Sequence, residues 1–137
     1  MATPMVLVST YLSLGGTDLS QYTSKVEVTA EVEEKDVTTF ASGGWKALLG
    51  GLKSGQIAIT WKNDITAAAL DSILWPLLGT LSAFEVRGTS AVVGTSNPKY
   101  TGSALVKTLM PIAGSVGDVN EQSVTFPTSG VVTRATA

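Results

Sequence analysis

Glu33, Glu34 and Asp36 form the one acidic cluster of the chain. Carboxylates this close in sequence could hold a hard divalent cation through oxygen ligands. The run lacks the alternating acidic ligands and the glycine of a calcium loop, and neighbouring strand residues point to opposite faces. The reading preferred is a solvated, charged strand end, with no metal. Ser96-Asn-Pro-Lys99 matches the serine–lysine spacing of penicillin-binding enzymes. That pair must stand at a helix start, whereas Pro98 and its Gly/Ser/Thr surroundings mark a loop, and the companion motifs are missing. Gly50-Gly-Leu-Lys-Ser54 resembles a phosphate loop, but Leu52 separates Gly51 from Lys53, so a turn into the following strand fits better. The chain has no histidine and no cysteine. Their absence removes the commonest general base, the commonest metal ligand, disulfides and thiolate sites. No catalytic, cofactor-binding or metal-ligating residue is assigned, and no enzyme is expected.

The elements around these residues are β in character. Lys25 to Glu33 alternates: Val26, Val28, Ala30 and Val32 share one face, and Lys25, Glu27, Thr29, Glu31 and Glu33 the other. Gln56 to Lys62 alternates too, with Ile57, Ile59 and Trp61 in phase for a core. Between them lies a glycine-rich excursion, about Glu34–Gly55. Strands of a hairpin are usually joined by about 2–5 residues, so a connection this long is expected to have a function. It carries Asp36, Val37, Phe40, Trp45, Leu48, Leu49 and Leu52, too apolar a set for a disordered linker. The expectation is a loop that reaches another copy of the protein, with Trp45 as its interface aromatic. One turn of helix is expected at Trp45–Leu49.

Further strands are expected over Val6–Leu14, over Leu81–Arg87 with Ser82, Phe84 and Val86 on one face, over Tyr100–Ile112 and over Glu121–Phe126, then a turn at Pro127–Gly130 and a last segment. Asp18–Tyr22 reads as a short crossing turn. One helix is expected over about Ile65–Trp75, capped by Asp64 or Thr66 and ended by Pro76, with Ala69 or Leu70, Ile73, Leu74 and Leu77 on its apolar side. Trp61 and Trp75 read as packing residues. The fold class is mainly β: a β-sandwich or barrel-like domain with one flanking α-helix.

At 137 residues, one domain spanning 1–137 is expected. Charged residues make up 15% of the chain, against about 25% in soluble domains, and 44% is hydrophobic. So weakly charged a surface points to assembly. A net charge of −2 gives no footprint for nucleic-acid binding. No apolar run is long enough to span a membrane, and the N-terminus has no basic residue before its apolar segment, as a signal peptide would. Assembly in the cytoplasm is expected.

The ordered set Gly16-Thr-Asp-Leu19, the acidic alternating strand, Glu34-Lys-Asp-Val-Thr-Thr-Phe40, Gly43-Gly-Trp45, Gly51-Leu-Lys-Ser-Gly55, Asn97-Pro-Lys-Tyr-Thr-Gly102, Gly117-Asp118 and Phe126-Pro-Thr-Ser-Gly-Val-Val-Thr-Arg134 covers nearly the whole chain. It resembles the major tail proteins, or tail tube proteins, of long-tailed, non-contractile bacteriophages. The resemblance implies a β-sandwich with a flanking helix, hexameric rings stacked into a hollow tube, and passage of the phage genome through it. It implies that the Glu34–Gly55 loop grips the adjacent ring. It implies partners: further copies of the chain, a tape-measure protein, a tip complex and a terminator. It places the protein in the virion tail, assembled in the host cytoplasm, without membrane insertion. No C-terminal immunoglobulin-like domain of the kind some members carry is expected. If the face of Glu27, Glu31 and Glu33 lines the channel, it is acidic at three positions, partly offset by Lys25 and Lys62, and DNA is repelled from the wall and slides without specific binding. The alternative is a capsid decoration or adhesion-type β binding module.

Overall fold

The computed structural model describes residues 2–137. Its strands are β1 (Tyr11–Leu14), β2 (Thr17–Asp18), β3 (Thr23–Asp36), β4 (Leu48–Lys62), β5 (Leu81–Arg87), β6 (Lys99–Leu105) and β7 (Glu121–Ala135). A single short helix, α1 (Leu70–Leu74), runs into a 3₁₀ turn at Trp75–Leu77. The strands form one seven-stranded antiparallel sheet in the order β2-β1-β5-β6-β7-β4-β3.

The sheet is folded on itself at β7. The first half of β7 pairs with β4, from Lys62↔Glu121 to Gln56↔Pro127. The second half pairs with β6, from Ala104↔Thr128 to Lys99↔Ala135. The bend lies where Pro127 lacks an N–H and Gly130 takes φ 84°, a conformation that costs other residues strain. A strand that changes sheets at such a corner makes a sandwich-like domain from continuous pairing. The expected turn at Pro127–Gly130 is therefore a bend within one long strand.

The core fills the space between the two halves. Leu12 and Leu14 of β1, with Phe84 and Val86 of β5, meet Ile57, Ile59 and Trp61 of β4 and Val124 and Phe126 of β7. Each such side chain, fully buried, contributes about 1.5–3 kcal/mol. The hairpin register is Val26↔Ile59 and Val28↔Ile57, the valine–isoleucine face read from alternation. Ser82, Phe84 and Val86 are all buried, as the phase of Leu81–Arg87 requires.

The helix is shorter than its expected span of Ile65–Trp75. Asp64 Oδ1 instead accepts from the Thr66 N–H at 3.0 Å, and Ala68 takes φ 61°, so the chain turns before it can wind. Pro76 is the second residue of the 3₁₀ turn, within its first turn, where its missing N–H costs nothing. Leu70 and Leu74 are buried, with Ile73 and Leu77 packed against the core. Trp75 is 57% exposed and is not a packing residue. The strands expected over Val6–Leu14 and Tyr100–Ile112 shrink to β1 and β6. Among the described residues no helix is long and apolar enough to cross a membrane.

Candidate functional site

Pairing of β3 with β4 does not stop at the edge of the core. It continues from Ala30↔Gly55 to Asp36↔Leu48. The excursion expected as a loop over Glu34–Gly55 is thus mostly strand, and only residues 37–47 form the loop. Gly50 to Ser54, the phosphate-loop look-alike, lies inside β4. The turn of helix expected at Trp45–Leu49 is absent: Leu48 and Leu49 are paired, and a 3₁₀ turn falls earlier, at Phe40–Ser42.

The result is a two-stranded arm about 20 Å beyond the core, at roughly 3.3 Å per residue. Every residue from Ala30 to Asp36 is exposed, and so is each from Leu48 to Ser54 except Gly51. A hairpin in water on both faces is marginal alone. This one presents Val32, Leu48, Leu49 and Leu52 at 52–76% exposure. Val32, in phase with the core on β3, lies beyond the point where the core ends, so it is an arm residue.

The arm has a bulge and a tight root. Glu33 alone stands opposite Gly51 and Leu52, between the pairs Val32↔Lys53 and Glu34↔Gly50. At the root, a Cβ on Gly55 would lie 3.0 Å from Thr128 Oγ1, 3.0 Å from the Thr29 carbonyl oxygen and 3.1 Å from Val132 Cγ2. Gly55→Ala is expected to destabilise the protein by about 1–3 kcal/mol, because backbone as well as side chains must move. A thermal melt measures this; an unchanged midpoint would show that the root yields freely.

The loop at the tip carries its own hydrogen bonds. Val37 N–H donates to the Ala47 carbonyl at 2.9 Å, and Ala47 N–H donates to Thr38 Oγ1 at 2.7 Å. Ser42 N–H donates to the Thr39 carbonyl at 3.0 Å, while Thr39 N–H donates to Ser42 Oγ at 3.1 Å. Gly43 and Gly44, at φ 65° and 83°, reverse the chain. Phe40 and Trp45 are left outside this frame, at 109% and 81% exposure. Val37, at the loop's entrance, is 47% exposed.

The Thr38 hydroxyl, and the Thr38 N–H that donates to Asp36 Oδ1 at 2.9 Å, hold the Asp36 carboxyl below its ordinary pKa. A depressed carboxylate contributes order that is present above its unfolded pKa and is lost as pH falls through the folded one. Protection of the Thr38 amide from exchange is therefore expected to hold at neutral pH and to fall once pH drops below the ordinary aspartate range. Protection that stays flat as pH falls well below that range would remove Asp36 as the clasp of the turn.

Glu27, Glu31 and Glu33 do share the outer face of β3, with Lys25 and Lys35. Lys25 Nζ lies 3.0 Å from Glu27 and Lys35 Nζ 3.0 Å from Glu33. Lys62 and Glu121 pair on the same face of β4 and β7. Each exposed pair is worth at most about 1 kcal/mol, but together they cancel much of the face's charge. Among the described residues Glu31 has no ion-pair partner. No group of three or more His, Cys, Asp or Glu among the described residues is placed to hold a metal. Ser96 lies in a tight turn closed by Gly94–Asn97 hydrogen bonds of 3.0 and 3.2 Å, not at a helix start.

A scan against protein-family models returns no match, and a search of curated proteins returns no significant one. Among solved structures, a chain of the "virion of native gene transfer agent (GTA) particle" superposes with a TM-score of 0.67, covering 83% of this chain and 85% of that one, at 19% identity. That likeness is one of fold.

Proposed function

We propose that this protein is a structural component of a phage-like virion, and within it the subunit of a tail tube. The observation that carries the reading is the arm: a hydrogen-bonded hairpin that leaves the core with apolar side chains on the outside. Such a surface is costly to leave in water and marks an interaction site. The fold shared with a chain of a gene transfer agent virion supports the coarser half of the proposal. The sequence resemblance to tail tube proteins supports the finer half.

In this reading copies join side by side into a ring, six by the resemblance, and rings stack through the arm. The outer edge of β3 has no neighbour over its 14 residues, and exposed edges invite pairing with another chain. Asp36, Val37, Phe40, Trp45, Leu48, Leu49 and Leu52 form the stacking contact. The outer face of β3 lines the channel, where Glu31 is the charge that its neighbours do not cancel. Like charges repel by about 1 kcal/mol at 4 Å in water. Repeated around a ring, that keeps a polyanion off the wall, and DNA slides. The protein is structural, not catalytic. Its partners are its own copies, a tape-measure protein, a tip complex and a terminator, and it resides in the virion tail after assembly in the host cytoplasm.

Electron microscopy of the purified protein tests this. Six-fold rings or tubes are expected at raised concentration. Particles that stay monomeric or trimeric at every concentration would defeat the tube and favour a decoration or adhesion module.

A further inference from the structure

A stacking arm needs a surface to land on, and the opposite end of β4 offers one. The segment 107–120, between β6 and β7, has no helix or strand. It is nonetheless pinned by three amide side chains. Gln122 Oε1 accepts from Met110 N–H at 2.8 Å, and Asn63 Nδ2 donates to the Met110 carbonyl at 2.9 Å. Asn120 Oδ1 accepts from Ala113 N–H at 2.8 Å while its Nδ2 donates to the Pro111 carbonyl at 3.0 Å. The amides also bond each other, Gln122 Nε2 to Asn63 Oδ1 at 2.7 Å and Asn63 Nδ2 to Asn120 Oδ1 at 3.0 Å. A loop this firmly held could turn its apolar residues inward. Instead Ile112 is 79%, Val116 106% and Val119 68% exposed. Scattered single exposures are ordinary. Here three lie within eight positions of one pinned loop that doubles back, with Glu121 N–H donating to the Ala113 carbonyl at 3.3 Å, and they stand as one candidate patch.

We infer that this patch, Ile112, Val116 and Val119, receives the arm tip of a second copy. The inference rests on the stacking role proposed above and names its other half. Geometry supports it first. The tip lies at the Leu48 end of β4, and the patch lies at the Lys62 end, where Asn63 N–H bonds the Asn120 carbonyl. Fifteen strand residues span about 50 Å, so one molecule cannot join its own two ends. Two different surfaces at opposite ends of one strand make a head-to-tail contact, which repeats without closing. Area supports it second. Rings of Phe and Trp bury about 150–250 Å² each, so Phe40 and Trp45 alone supply close to half of the roughly 800 Å² that each side of a stable interface contributes. Arm leucines extend it.

Two variants test this. Phe40→Ala with Trp45→Ala removes the tip and leaves the patch. Val116→Glu with Val119→Glu removes the patch and leaves the tip. Circular dichroism checks folding, and Val116→Ser with Val119→Ser is the milder form of the second. Sedimentation reads the assembly. Each variant alone is expected to stop at the unstacked unit, whether monomer or ring. An equal mixture holds one intact tip and one intact patch, so it should form a species of twice that mass and grow no further. A mixture that stays at single-unit mass while the unaltered protein stacks overturns the patch and leaves the arm's role standing. Full stacking by the patch variant alone also overturns it. If the unaltered protein never stacks, the proposed function fails and this inference with it.

Discussion

Replacing Trp45 by alanine will leave the subunit folded and weaken its stacking by about 2–4 kcal/mol, roughly a 30- to 1000-fold loss of association. The two halves of that outcome come from the same fact. Trp45 is 81% exposed and makes no contribution to the core, so its loss should not shift thermal unfolding. The loop that holds it is framed by the backbone and by Thr38, Thr39 and Ser42, none of which needs the indole. An aromatic held out on a preordered turn loses little freedom when a partner covers it, which is where binding energy concentrates. Trp45→Phe should recover part of the loss, since the ring keeps most of its area. Thermal melts and sedimentation of the same samples separate the two halves. Tubes of normal length at unchanged protein concentration would remove Trp45 as an anchor.

Legibility of the chain followed burial. Where a strand has one face inside, alternation reported it: Val26 and Val28 opposite Ile59 and Ile57, Phe84 and Val86 in phase, Trp61 in the core. Beyond Ala30 and before Gln56 the same hairpin has water on both sides. Nothing then selects apolar residues at every second position, and Gly50, Gly51 and Leu52 read as loop. Pairing of the backbone nonetheless continues there from the register set at the core. The unusual residue types of the arm tip were readable, since Phe40 and Trp45 are out of place in a linker, and both are exposed. Their scaffold was not. The helix shows the converse error. Alanines and a helical stripe favoured a start at Ile65, but Asp64 bonding Thr66 made a turn instead, a local competition that propensity does not weigh. The patch on 107–120 had no pattern at all in the sequence. Its frame is built by Asn63, Asn120 and Gln122, and Asn63 is far away along the chain.

The glutamate face shows what alternation can and cannot specify. It placed Glu27, Glu31 and Glu33 together, and they are together. It placed Lys25 on the same face as well, as a partial offset, and Lys25 and Lys35 lie against two of the three. A channel lined by this face would be only mildly acidic, and Glu31 would set its sign. Weak repulsion suits a wall that must neither bind DNA nor close against itself, because counter-ions screen such charges within about 8 Å at physiological salt.

Trp61→Ala should give the opposite phenotype to Trp45→Ala: a loss of about 3–5 kcal/mol in folding stability. Trp61 is fully buried and packs on Phe126, with ring centroids 6.1 Å apart and planes tilted by 47°. It sits on β4 between β3 and β7, so the cavity would open where three strands meet. Two features set the size of the effect. The lost contacts and the cavity act together, which makes it large. The indole Nε1 has no hydrogen-bond partner among the described residues, and an unsatisfied buried donor costs about 1–3 kcal/mol, so removing it returns some stability. Trp61→Phe shrinks the first effect and keeps the second, because it leaves an aromatic ring and a smaller cavity while deleting the donor. Its cost should stay below about 1.5 kcal/mol, the range of well-matched core swaps. Urea unfolding followed by circular dichroism measures both. A Trp61→Ala cost under 1 kcal/mol, or a Trp61→Phe cost equal to that of alanine, would contradict this account of the core. Because β4 carries the arm away from that core, Trp61→Ala should impair assembly only in proportion to the fraction unfolded, whereas Trp45→Ala should impair it with every subunit folded.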